Sequence, residues 1–356
     1  MENKVVARIC NTIIYFGKII LTWIVALFFL MAFQVEENNL LCIYGYSDLN
    51  NSILSAFLAG MIWGIIFKIS RFIRKFVSHY LLIILLSLSV NILSAYLLIY
   101  WVYHLGDIFI NKEFPNSFQH LIDLYKSQLF YSILAYFFIV GTLIEIFFEI
   151  DKKLGRGVLL KFLLGRYYKP KEEERIFLFM DLKSSTSYAE QLGHFKYSRL
   201  LQDCFKDISP AITKNKAQIY QYVGDEVVLT WKLEHGLKNN RCIQVFFDFM
   251  DELNKKETYY QREYGLIPVF KAGVHSGKVM IAEVGELKSE IAYHGDAINT
   301  ASRIQGLCNS YQSKLLVSGD LIKELKLHHY FDIWSEPLGA VLLNGKKLTT
   351  ALYKIC

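Results

Sequence analysis

The sequence predicts a two-part protein: an N-terminal α-helical membrane domain of four transmembrane helices, followed by a soluble α+β domain with a ferredoxin-like sheet. Three observations carry this. Hydrophobic residues make up 53% of the 356-residue chain and mean hydropathy is +0.26, too apolar for a purely soluble protein. Four apolar runs, each close to the roughly 20 residues that a helix needs to cross a bilayer, are crowded into residues 1–150. Beyond residue 174 the pattern changes to short β-rich runs and amphipathic helices in the order βαββαβ.

The apolar runs span residues 13–33, 52–69, 81–103 and 129–150. The second is the shortest, and its Gly60 and Gly64 have the small-xxx-small spacing that lets helices approach closely. Glycine tolerated on a lipid-facing surface is the alternative reading. Orientation follows from the basic residues. Lys4 and Arg8 precede the first run, Lys68, Arg71, Arg74 and Lys75 separate the second from the third, and Lys152, Lys153, Arg156 and Lys161 follow the fourth. These segments belong in the cytoplasm. The other two loops carry Glu36, Glu37 and Asp48, and Asp107, Lys112, Glu113 and Asp123, without a basic excess. An integral, multi-pass protein of the inner (plasma) membrane is expected, with both termini and the soluble domain in the cytoplasm and lipid as a partner. No cleaved signal peptide is expected, because the first run exceeds a typical signal core and no small-residue cleavage site follows. Glu145 and Glu149, one turn apart near the cytoplasmic end of the fourth run, read as a solvated interfacial pair.

The six cysteines, Cys10, Cys42, Cys204, Cys242, Cys308 and Cys356, have no CxxC spacing and form no disulfide framework. The net charge of +6 is accounted for by the basic flanks of the spans, so nucleic acid is not an expected partner. Residues 151–174 read as a basic juxtamembrane connector. Within it Leu159, Leu160, Leu163 and Leu164 predict a short amphipathic helix, to lie on the membrane or against a twin helix in a dimer. Pro170 then ends it ahead of a strand at Arg175.

In the domain 175–356 the predicted elements are a strand at 175–180, a helix at 188–208, a hairpin of 217–223 and 227–231 about Gly224-Asp225, and a helix at 237–260. Paired strands at 269–275 and 278–284 about Ser276-Gly277 and a helix at 297–308 follow. The split βαββαβ unit brings the end of its first strand beside the central hairpin turn. Asp181 and Asp225 therefore share one sheet edge, close enough to bridge two Mg2+ (or Mn2+) ions that neutralise a triphosphate and activate a hydroxyl. Ser184, Ser185 and Thr186, opening the next helix, leave backbone N–H groups for phosphate oxygens. A lone strand-end Asp is as readily a helix cap; two in this paired context favour metal binding.

These motifs, with two more, resemble the catalytic domain of class III nucleotide cyclases over residues 175–355. Asp181-Leu-Lys-Ser-Ser-Thr186 and Gly224-Asp225 match the family's two metal-Asp motifs. Gly273-Val-His-Ser-Gly277-Lys-Val matches its glycine-bounded β turn, and Asn299-Thr-Ala-Ser-Arg303 its Asn-x-x-x-Arg helix. The resemblance implies metal binding by Asp181, Asp225 and the Leu182 backbone, ribose orientation by Asn299 and phosphate charge stabilisation by Arg303. It also implies a head-to-tail homodimer whose sites take the aspartates from one subunit and the Asn and Arg from the other. Independently, Asn299 and Arg303 are four apart, which places them on one helix face, and a guanidinium suits bidentate phosphate contact.

Departures fall on base selection. Gln221 stands where adenylate-specific members carry Lys, and Ala292 where they carry Asp or Thr. A Gln amide donates or accepts and so reads adenine or guanine, whereas Ala offers no side-chain hydrogen bond. Near the C-terminus Asn344 takes the usual lysine position, leaving Lys346 as a candidate phosphate contact or a solvated turn lysine. The leading expectation is a cyclase making a 3',5'-cyclic nucleotide and pyrophosphate from a nucleoside triphosphate, ATP by default, with GTP or a pyrimidine triphosphate as alternatives. A degenerate nucleotide sensor is a second reading. A diguanylate cyclase, prompted by Gly224-Asp225-Glu226, is a third, and it leaves Asn299 and Arg303 unexplained.

Overall fold

The computed structural model of the protein describes residues 12–13, 15–26, 57, 60–65, 68–69, 89, 126, 128–155, 158–325 and 335–355. They fall into two compact units, Met1–Lys153 and Leu154–Cys356. Much of the first three apolar runs lies outside the described residues, and the fourth coincides with a 27-residue helix, Gln128–Leu154. Among the described residues no helix is long and apolar enough to cross a membrane. The two glycines of the second run do sit at a close helix contact. A Cβ on Gly60 would lie 2.7 Å from the Ile20 Cα, and one on Gly64 would collide with the Phe16 ring. Beside them Trp23 and Trp63 are fully buried with ring centres 4.6 Å apart. The absent side chains let the backbones approach, which is how small residues serve helix packing.

The second unit is built on a sheet of eight strands among the described residues: β1 Lys171–Leu182, β2 Gln218–Val223, β3 Glu226–Lys232, β4 Phe270–Val284, β5 Glu290–His294, β6 Leu315–Ser318, β7 Ser335–Leu342 and β8 Thr349–Ile355. Their order is β2-β3-β1-β4-β6-β8-β7, with β5 also paired to β4. Around it run α1 Val158–Leu163, α2 Ser185–Asp207, α3 Ser209–Lys214, α4 Leu233–Leu237, α5 Arg241–Asn254, α6 Glu257–Tyr264, α7 Asp296–Gly306 and α8 Gly319–Glu324. The first four strands with α2 and α5 form the expected split unit, each neighbour antiparallel.

β1 is central and covered on both faces, which is why its apolar residues run without alternation from Ile176 to Met180. Ile176, Leu178 and Met180 join the major core with Cys242, Val245, Phe246 and Phe249 of α5. Phe177 and Phe179 point the other way, into a smaller core with Ala297 and Ala301 of α7. The α5 stripe of buried residues follows helical spacing, as an amphipathic helix packed on a sheet requires.

Four sequence expectations are corrected. The turn at Ser276-Gly277 does not exist: β4 is a single 15-residue strand, with Ser276 opposite Ile176 and Gly277 opposite Arg175. Ser-Gly between β-rich runs looks like a turn, but the 12-residue β1 pairs straight through it. The glycines admit a helix instead. A Cβ on Gly273 would collide with the Gln305 backbone, and one on Gly277 would lie 2.9 Å from the Ala297 Cβ. The hairpin partner of β4 is β5, which its charged flanks hid. The helix expected at 237–260 is broken twice: Asn239 and Asn240 adopt left-handed φ values of 56° and 49° that Asn tolerates, and α5 ends at Asn254 before α6 begins at Glu257. β1 begins at Lys171 rather than Arg175, its charged start being exposed. Finally, the helix expected at 188–208 starts at Ser185 and kinks at Gly193. The connector helix forms as α1, with Leu160, Leu163 and Leu164 exposed.

Candidate active site

Asp181 is the penultimate residue of β1, in register with Glu226 on β3 and Lys271 on β4. Its Oδ2 accepts from Gln305 Nε2 at 3.1 Å and lies 3.3 Å from Lys271 Nζ. Asp225 occupies the β2–β3 turn, where Gly224 takes φ 61°, a conformation that glycine adopts without strain. The Asp225 Oδ2 is sealed from solvent and no donor reaches it. Burial first, and then the Asp225 carboxylate, push the Asp181 pKa above the usual range, with Lys271 opposing. Burial followed by the charges of Asp181 and Asp225 pushes Glu226 up to about 7.

Three crowded carboxylates thus face one ammonium group. A buried acceptor without a donor is costly, and a hard divalent cation satisfies it with the oxygen ligands it prefers. Among the described residues no set of three or more His, Cys, Asp or Glu converges on one point. The two aspartates therefore suit an ion that takes its other ligands from backbone, water or a phosphate, as Mg2+ does.

Beside them Ser184 is left-handed (φ 61°) and makes no side-chain cap on α2. Its carbonyl accepts the Tyr188 N–H, which leaves the amides of Ser185, Thr186 and Ser187 outside the intrahelical ladder. No acidic side chain competes in that first turn. Leu182 buries its side chain in the major core while its backbone continues the strand beyond Asp181.

Asn299 and Arg303 are brought together on α7 but not with the aspartates. Gln305 reaches Asp181, and Arg303 is two residues earlier, some 200° round the helix. Arg303 meets the β7–β8 loop instead: a Cβ on Gly345 would lie 3.4 Å from its Nη2. In the same loop Lys346 Nζ lies 2.8 Å from Asp296 Oδ2, and that contact is the main cause holding the Asp296 pKa below the usual range. Gln221 is exposed on β2 and Ala292 is buried on β5. Their neighbours Tyr220 and Tyr293 meet edge to face at 4.8 Å. Sequence reading missed Lys271, Gln305 and Asp296. Asp296 follows a recognisable Gly, but only strand register and helix packing bring Lys271 and Gln305 to Asp181.

Residues 167–355 match the family described as the adenylate and guanylate cyclase catalytic domain. The chain belongs to this cyclase family. Members work with divalent metal ions, which the two aspartates fit. Adenylate cyclase 2 of Rhizobium meliloti (strain 1021) is 35% identical over 215 residues, 60% of this chain and 59% of that protein. Adenylate cyclase 1 of the same organism is 26% identical over 187 residues, 50% of this chain and 27% of that one. The cyclase chain thus spans less than two thirds of either relative. The structure of a bacterial light-regulated adenylyl cyclase superposes with a TM-score of 0.54 at 19% identity, covering 65% of this chain and 67% of that one. At that identity the likeness is one of fold.

Proposed function

We propose that this chain is a membrane-bound adenylate cyclase acting as a homodimer, converting ATP to 3',5'-cyclic AMP and pyrophosphate for intracellular signalling. One observation carries the reading: Asp181 and Asp225 adjoin with a donorless carboxylate oxygen, while Asn299 and Arg303 of the same chain face elsewhere. Each chain then holds two complementary half-sites, and a second copy completes both. Two divalent ions, Mg2+ or Mn2+, held by Asp181, Asp225 and the Leu182 backbone, would activate the 3'-hydroxyl and neutralise the triphosphate. The 3'-hydroxyl gives its proton to water, its oxygen attacks the α-phosphorus in line, the bond to the β-phosphate bridging oxygen breaks, and pyrophosphate leaves. The amides of Ser184, Ser185 and Thr186 take phosphate oxygens. Arg303 of one copy stabilises charge on the transferring phosphoryl group and Asn299 orients the ribose. Lys346 reaches phosphate only by leaving Asp296. Gln221 and Ala292 border the base.

ATP is favoured over GTP by the 35% identical relative, which is named an adenylate cyclase. Four spans with both termini in the cytoplasm anchor the enzyme in the inner membrane, and the apolar runs and basic flanks support that placement. The test is mass spectrometry of products from membranes containing the full chain, supplied with Mg2+ or Mn2+ and each of ATP, GTP, CTP and UTP. Cyclic AMP in excess is expected. No cyclic product from any of the four, in a dimeric preparation, would refute it.

A further inference from the structure

Arg175 is a buried cation that the proposed chemistry does not use. It lies in β1, 1% exposed, and each guanidinium nitrogen has a partner. Nε donates to Thr230 Oγ1 of β3 at 3.1 Å, Nη1 to Glu173 Oε2 at 2.9 Å, and Nη2 to Gln218 Oε1 of β2 at 2.7 Å. The guanidinium carbon sits 5.0 Å from the centre of the Tyr293 ring of β5, a cation–π geometry. That ring in turn meets Phe177 at 5.4 Å and Tyr220 of β2 at 4.8 Å. One side chain therefore ties together β1, β2, β3 and β5.

The strand that most needs tying is β2. It ends the sheet, is exposed along most of its length, and slips register between Ile219 and Gln221, leaving Tyr220 as the bulged residue. Bulged edge strands re-aim side chains and are among the least constrained parts of a sheet. The Arg175–Gln218 bond before the bulge and the Tyr220–Tyr293 contact at it hold the position of Gln221, the next residue. On β5, Tyr293 directly follows Ala292. The other end of the network is the connector. Buried Tyr167 donates to Glu173 Oε1 at 3.3 Å, so the carboxylate that grips Arg175 is shared, and Lys161 and Arg166 lie 6.0 and 5.8 Å from the Tyr167 ring centre. A buried ion pair is a weak source of stability compared with apolar packing; what this one supplies is fixed geometry between strands.

We infer that Arg175 is a positioning residue for nucleotide selection: it sets the separation of Gln221 and Ala292 at the base, and through Glu173 and Tyr167 it links that separation to the connector. The inference rests on the reading of those two residues as the base border.

The test uses the full chain in lipid nanodiscs. Steady-state kinetics with ATP and GTP are paired with equilibrium binding of fluorescent 3'-deoxy-ATP and 3'-deoxy-GTP analogues. Arg175→Lys keeps the charge but not the three-way fork. It should raise KM for the preferred triphosphate about fivefold with kcat within about twofold, and narrow the ratio of kcat/KM between the two bases about fivefold. Gln218→Ala, at an exposed position, should shift the same quantities in the same direction by about threefold, and it decides the matter alone if Arg175→Lys fails to fold. Unchanged KM and base preference, or a fall in kcat equal for both bases, overturns the inference while leaving the cyclase reading intact. If the wild type binds the analogues but makes no cyclic product, the cyclase reading fails and analogue affinities in the variants decide the inference. If it binds neither analogue, both fall.

Discussion

The Asp225 carboxylate has an oxygen that is buried, donorless and beside the Asp181 carboxylate, whose pKa it raises. Such a group costs stability and is kept where chemistry uses it. Asp225→Asn should therefore lower cyclase activity by at least about a hundredfold. Without divalent cations it should raise the melting temperature by about 2–4 °C, since it removes a repulsive charge. Activity assays with thermal melts in chelator check both, and a destabilised, active variant would contradict the metal assignment. His275, from the glycine-bounded motif, is a contrasting case. It is buried, its Nδ1 lies 2.7 Å from Ser318 Oγ, and burial is the largest cause pushing its pKa down to about 4. The folded state favours the neutral ring, so its contribution is full above the unfolded pKa near 6.5. That contribution is lost as pH falls from there through about 4. Between pH 7.5 and 5 the loss attributable to His275 should be about 2 kcal/mol, measured as the difference in pH-dependent stability between wild type and His275→Asn. Equal pH dependence in the two proteins would exclude it.

At the scale of elements, the contact of α7 with β4 decides where Gln305 meets Asp181. Gly273 has the Gln305 backbone over its Cα, closer than a Cβ allows, while a Cβ on Gly277 would meet the Ala297 Cβ at 2.9 Å, a milder clash that is relieved only by moving the α7 backbone there. Gly273→Ala should therefore displace α7 and cost about 1–3 kcal/mol, with loss of activity, and Gly277→Ala should cost less. Gly306, at the end of the same helix with nothing near its Cα, gives the opposite expectation. Gly306→Ala should be neutral or stabilising by up to about 1 kcal/mol. Denaturant titrations of the three variants check the ranking. A Gly273→Ala protein as stable and active as wild type would mean that α7 is free to move. The same elements show what local sequence conceals: β5 and β7 are largely exposed or half-buried along their length, and the β4 glycines imitate a turn until the partner strand and helix are in place.

For the whole molecule, the proposed reading needs a second copy, because Gln305 rather than Arg303 of α7 reaches Asp181, and closed two-fold symmetry is the simplest arrangement that would pair the two half-sites. Mixing Asp225→Asn with Arg303→Ala chains should then restore activity that neither has alone. Half of the dimers are mixed, and each has one intact site of two, so about a quarter of wild-type activity is expected at equal ratio. Co-expression followed by a product assay checks this, and no recovery in a preparation shown to contain mixed dimers would count against shared sites.

The sequence by itself determined the kind of protein. The strand-end Asp181, the Gly224-Asp225 turn and the Asn299–Arg303 pair are local signals, each made by a few adjacent residues whose chemistry and spacing survive without knowledge of the fold. The split βαββαβ core was legible for the same reason, since period and breakers are local. Gly60 and Gly64 also proved to mark a close contact. Only the tertiary structure decided that Lys271 and Gln305 attend Asp181, that Lys346 is paired with Asp296, and that Gly273 and Gly277 seat a helix rather than turn a chain. It alone showed Arg175 joining four strands. Those facts depend on residues tens of positions apart meeting through strand register and helix packing, a relation that no local pattern encodes.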